Sequence, residues 1–73
     1  MDIKRASCRK DFLEHAKPFT ANMEKNRKML HRTGYEKCYN SKFMYKYIDF
    51  DTLEEAESFS PRLSKCQICF PEQ

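Results

Sequence analysis

The sequence has one glycine and no tryptophan. A loop that cradles phosphate needs several glycines so that backbone amides can approach the anion, and a single one excludes it. No stretch approaches the ~20 apolar residues of a membrane span. Lys4, Arg5, Arg9, Lys10 and Lys17 are followed by no apolar run of signal length, so a cytoplasmic chain with no membrane partner is expected. Repeats, low-complexity runs and interdomain linkers are also missing, and 73 residues make one domain. Ser, His and acidic residues fall in no catalytic spacing. Glu54, Glu55 and Glu57 read as the charged start of a helix rather than an acid/base pair. The expectation is therefore a non-enzyme, with no catalytic residue and no small-molecule substrate.

What is present is a set of rings, charges and thiols. Six Phe and four Tyr carry most of the buriable area, and 34% of the chain is charged. A chain this short has a modest core and often needs a staple. Its four cysteines fit either a metal site or two disulfides. A reducing compartment favours the metal. Cys66-Gln-Ile-Cys69 puts two thiols on one tight turn, where both can face a single ion. A redox pair normally opens a helix, and here Pro71 follows almost at once. The remaining ligands come, in order of preference, from Cys38, His31, Cys8 and His15, which gives Cys66, Cys69, Cys38 and one of His31 or Cys8 around zinc.

The apolar pattern predicts an α+β domain: two N-terminal helices, a short β-hairpin or strand pair, one capped helix and a C-terminal CxxC turn. After an irregular stretch over 1–8, Ser7 caps a helix over 8–17 that buries Phe12, Leu13 and Ala16 and stops before Pro18. Thr20 caps a second helix over 21–32 with Phe19, Met23, Met29 and Leu30 on its buried side. Gly34 takes the left-handed position after that helix. Residues 43–50 are aromatic and β-branched and read as a strand, with Met44, Ile48 and Phe50 inward and Tyr45 and Tyr47 outward. Thr52-Leu53-Glu54-Glu55 is a capping box opening a helix over 53–59, which Pro61 ends. The chain then divides into a basic helical part, 1–33, and a zinc-binding part, 34–73.

Read together, His31, Cys38, Tyr47-Ile48-Asp49-Phe50, Thr52-Leu53-Glu54-Glu55-Ala56 and Cys66-Gln-Ile-Cys69-Phe70-Pro71 resemble a known pattern. Residues 31–71 are similar to the Ada-like zinc-binding module, first known from the bacterial adaptive-response protein that repairs alkylated DNA. The resemblance implies a zinc scaffold with Cys38, Cys66 and Cys69 as ligands and His31 as the fourth. No second cysteine closely follows Cys38, so methyl-acceptor chemistry is not carried over.

Charge supplies the functional expectation. Residues 1–33 hold nine Lys or Arg against four acids, net +5, and residues 49–73 hold two against six, net −4. A basic front suits an anionic partner. Tyr35, Tyr39, Tyr45 and Tyr47 interleave with Lys37, Lys42 and Lys46, an arrangement that can stack bases and hold phosphates. A non-catalytic zinc protein that binds nucleic acid or acts as a regulatory module is expected, with Lys25, Arg27, Lys28, Arg32, Lys42, Tyr45, Lys46 and Tyr47 at the interface. The alternative is a phage- or mobile-element-type inhibitor that docks on a host protein such as a transcription or defence enzyme.

Overall fold

A computed structural model describes residues 3–25, 28–59 and 63–71. In chain order the elements are strand Lys4–Arg5 (β1), helix Arg9–His15 (α1) and strands Phe19–Asn22 (β2) and Met29–Arg32 (β3). A 3-10 turn at Tyr39–Lys42, strand Lys46–Phe50 (β4), helix Leu53–Phe59 (α2) and strand Ser64–Lys65 (β5) follow. The five strands form one sheet in the order β1-β4-β2-β3-β5, antiparallel except for the parallel β3–β5 pair.

The second N-terminal helix is not there. β2 and β3 pair antiparallel there instead, with Ala21 opposite Leu30 and Thr20 opposite His31. The long run of helix-favouring polar residues between them is overridden by tertiary pairing. β2 lies between β3 and β4, so both of its edges are hydrogen-bonded to neighbours. A local bond also competes with helix: the Asn22 side-chain oxygen accepts from the Glu24 amide at 2.9 Å and starts the turn. The helical pair expected for the first third is therefore one helix and a strand pair, and strands from both halves of the chain share the sheet.

β4 is buried on both faces. Ile48 and Phe50 join Ala21, Leu30, Ala56 and Phe70 in the larger core, on the side covered by α2. Tyr47 and Asp49 occupy the opposite face. Tyr47 was expected to point outward, but only 4% of it is accessible. The Phe12 ring of α1 meets it edge-on at 4.8 Å, and Ala6 and Met44 complete this second cluster. Asp49 is held by two groups from outside the sheet's centre. The Lys4 ammonium is 3.1 Å from its carboxylate and the Lys17 amide donates to it at 3.1 Å. That pairing gives the two-residue β1 a reason to exist where an irregular start was expected.

Helix ends follow local chemistry. Cys8, not Ser7, caps α1, its sulfur accepting from the Asp11 amide at 3.4 Å, and α1 ends at His15. At α2 the Thr52 hydroxyl accepts from the Glu55 amide at 3.2 Å, and the Glu55 carboxylate accepts from the Asp51 amide at 3.3 Å. The carboxylate thus reaches one residue further back than the simple box. Pro61 lies outside the described residues. Gly34 is left-handed (φ 69°), but it follows a strand rather than a helix, and a Cβ there would meet Leu13 Cδ2 at 3.2 Å.

Phe12 is fully buried and is α1's main anchor on the sheet. Truncating a buried Phe costs ~3–5 kcal/mol. Phe12→Ala is expected to lower the urea midpoint by a corresponding amount and to leave metal content unchanged, because its cluster lies apart from the thiols. An unchanged midpoint would remove α1 from the folded unit.

Candidate metal centre

Three segments converge around the ends of β3 and β5. His31 sits on β3 itself. Cys38 opens the 3-10 turn, where the Ser41 hydroxyl donates to the carbonyls of Cys38 at 2.7 Å and of Tyr35 at 3.1 Å. Cys66 follows β5 directly, and its amide donates to the Leu30 carbonyl at 3.0 Å. Cys69 lies in the turn that the Phe70 amide closes by donating to the Cys66 carbonyl at 2.8 Å. The parallel β3–β5 pairing is what delivers the tail turn to His31.

His31, Cys38, Cys66 and Cys69 are all buried, and their ligand atoms lie within 4.8 Å of one another. His31 Nδ1 is 3.6 Å from Cys38 Sγ and 3.6 Å from Cys69 Sγ, and Cys38 Sγ is 3.7 Å from Cys66 Sγ. Bonds of ~2.3 Å to sulfur and ~2.0 Å to nitrogen in a tetrahedron set S···S edges near 3.8 Å and S···N edges near 3.6 Å. These three separations match tetrahedral edges to within ~0.1 Å. None of the four cysteines is disulfide-bonded. These four side chains can hold a metal ion.

The surroundings act on two of the thiols in opposite directions. Burial pushes the Cys66 thiol up. Donation from the backbone amides of Cys69 and Ile68 and from the Cys38 and Cys69 thiols outweighs that and leaves it below the ordinary value. For Cys69 burial dominates. The Arg32 amide donates to its sulfur, but the neighbouring Cys38 and Cys66 oppose a further charge, and the thiol is pushed up to about 12. Burial lowers the His31 pKa, so its ring is neutral and offers Nδ1 as a lone pair. A divalent cation held there would stabilise all three thiolates together.

With no ion present the Cys69 thiol holds its proton up to about 12, so binding a metal has to displace that proton. Metal affinity is therefore expected to rise with pH between about 6 and 8, measured by competition with a chromophoric chelator. An affinity independent of pH would contradict the assignment of Cys69 as a ligand.

The other candidates fall elsewhere. Cys8 is an exposed helix cap, and His15 is exposed beside Asp11, whose carboxylate is 3.2 Å from its Nδ1. Lys25, Lys28 and Arg32 are exposed, Lys42 and Lys46 are half-buried, and Tyr45 is exposed. Arg32 lies over the Phe70 ring at 5.0 Å, which ties it to the turn carrying Cys69. Tyr47 is buried under Phe12 and offers no ring to a partner. Arg27 lies outside the described residues. Tyr39, 82% accessible, was not singled out from the four interleaved tyrosines, although its place next to Cys38 was a usable signal.

A buried His and three Cys around the ends of β3 and β5 of a small mixed sheet define a compact α+β domain with a candidate metal centre. No protein-family model matches the chain, and no curated protein or solved structure matches it significantly. The likeness of residues 31–71 to the Ada-like module thus rests on the quoted residues alone. Among the described residues, no helix is long and apolar enough to cross a membrane.

Proposed function

We propose that the chain is a zinc-held, non-catalytic module that binds nucleic acid. The carrying observation is the donor set: three sulfurs and one nitrogen, all buried and within 4.8 Å of one another, with three of the separations at 3.6–3.7 Å. Thiolate with imidazole suits zinc, and four protein ligands leave no position for a water or substrate. The ion's role is then structural. It ties β3, the 3-10 turn and the tail into one body.

The nucleic-acid part of the reading is supported by charge. The chain is +3 overall, and its first 33 residues are +5. Each neutralised phosphate releases condensed counterions, so affinity falls steeply with salt. The test is a fluorescence-anisotropy titration of the zinc-loaded chain with labelled oligonucleotides at several salt concentrations. A linear fall of log K with log salt, with a slope equivalent to about three or more phosphates, is expected. No binding at low salt, together with a single protein partner retained after nuclease treatment, would replace this reading with that of an inhibitor docked on a host protein.

A further inference from the structure

A groove lies beside the metal centre and shares His31 with it. It measures about 680 Å³ and lies between the β2–β3 pair and the segment 39–45. That is within the range of small-ligand sites, roughly 300–1,000 Å³. One wall carries Asn22, Lys28 and Met29, and the other carries Tyr39, Phe43 and Tyr45. These three rings are 82%, 39% and 50% accessible. A second, smaller hollow continues from it past Tyr39 and Phe43 to Arg9 and Lys42.

We propose that this groove binds single-stranded nucleic acid, stacking bases on Tyr39, Phe43 and Tyr45 while Lys28, Lys42 and Arg9 hold phosphates. The inference rests on the nucleic-acid reading and names its form and place. Three observations favour that occupant. Exposed rings lining one groove, with Lys28 in its lining and Arg9 and Lys42 in the adjoining hollow, match the two needs of an unpaired strand, a π-face for each base and positive charge along the backbone. Across the groove and the adjoining hollow the cations Lys28, Arg9 and Lys42 stand against the single acid Glu24, a balance that favours an anion. A duplex keeps its bases stacked on one another and has no free face to offer these rings.

The metal centre and the groove share a wall. His31 lines the groove while its Nδ1 faces the sulfurs of Cys38 and Cys69. Cys38 immediately precedes Tyr39, so the ion fixes the start of the turn that displays this ring. Zinc therefore positions the stacking surface without touching the strand.

The experiment uses the full zinc-loaded chain and three fluorescein-labelled probes of equal length: oligouridine, oligothymidine and a mixed-sequence duplex. Tighter binding of the single strands than of the duplex is expected. The two single-stranded arms separate RNA from DNA, the 2′-hydroxyl being the difference. Tyr39→Ala and Tyr45→Ala are each expected to weaken single-strand binding about tenfold, in line with the loss of one stacked base. Tyr39→Phe and Tyr45→Phe keep the ring and are expected to recover that loss. Zinc content measured on every variant separates a lost contact from a lost fold. Duplex preferred over single strand, or full affinity in both alanine variants, would overturn the groove assignment and leave the nucleic-acid reading standing. No binding of any probe at low salt would overturn both.

Discussion

Stripping the metal with a strong chelator is expected to unfold the chain. Three of the ligands, Cys38, Cys66 and Cys69, belong to the same buried cluster as Leu30, Ile48, Phe50 and Phe70. An ion held by them would sit inside the core's own perimeter. Structural zinc contributes ~10–16 kcal/mol of apparent binding energy at neutral pH, whereas a whole small domain is stable by only ~5–15 kcal/mol. Without the ion, the sheet has to be held by two short helices and a core divided between two faces. Circular dichroism should show the cooperative thermal transition disappearing on chelation and returning when zinc is restored. A transition of unchanged midpoint would mean that the apolar clusters suffice alone.

The second large effect separates the cysteines. Cys38→Ser replaces a buried thiolate with a poorer ligand for zinc. Losing an outer partner of a ligand already costs roughly 10–100-fold in affinity, so loss of a ligand itself should exceed ~100-fold. A loss of that size is about 2.7 kcal/mol, or roughly 10–20 °C in Tm for a domain of this length. Cys8→Ser changes an exposed cap whose sulfur accepts one backbone bond, and serine is itself a good cap. It should shift Tm by no more than a few degrees and leave the zinc affinity unchanged. Equal effects from the two substitutions would show that the thiols do not divide as the geometry implies.

The ease of reading the sequence depended on how local each signal is. Cys66 and Cys69 are three apart on one turn, and Thr52 and Glu55 belong to one capping motif, so their chemistry is visible without the fold. Cys38 and His31 join them through parallel pairing of β3 with β5 and through Ser41's hold on the 38 turn. That convergence is tertiary, and the sequence alone left His31 and Cys8 both open. The β2–β3 pair was hidden because its alternation spans only four residues a side, while the charged run between favours helix. What decides for strand is β4, more than ten residues downstream, which pairs with β2 in register. Tyr47 was misplaced for a related reason. Period-two alternation separates the faces of β4 correctly, but it does not say that α1 will cover the second face with Phe12.

A single zinc ion held by one nitrogen and three sulfurs is the claim from which the rest derives. X-ray absorption at the zinc edge of the purified chain measures it directly. The prediction is one zinc per chain, with three sulfurs at ~2.3 Å and one nitrogen at ~2.0 Å. A chain that carries no zinc and has its thiols paired with one another, or zinc bound mainly by oxygen, would contradict it.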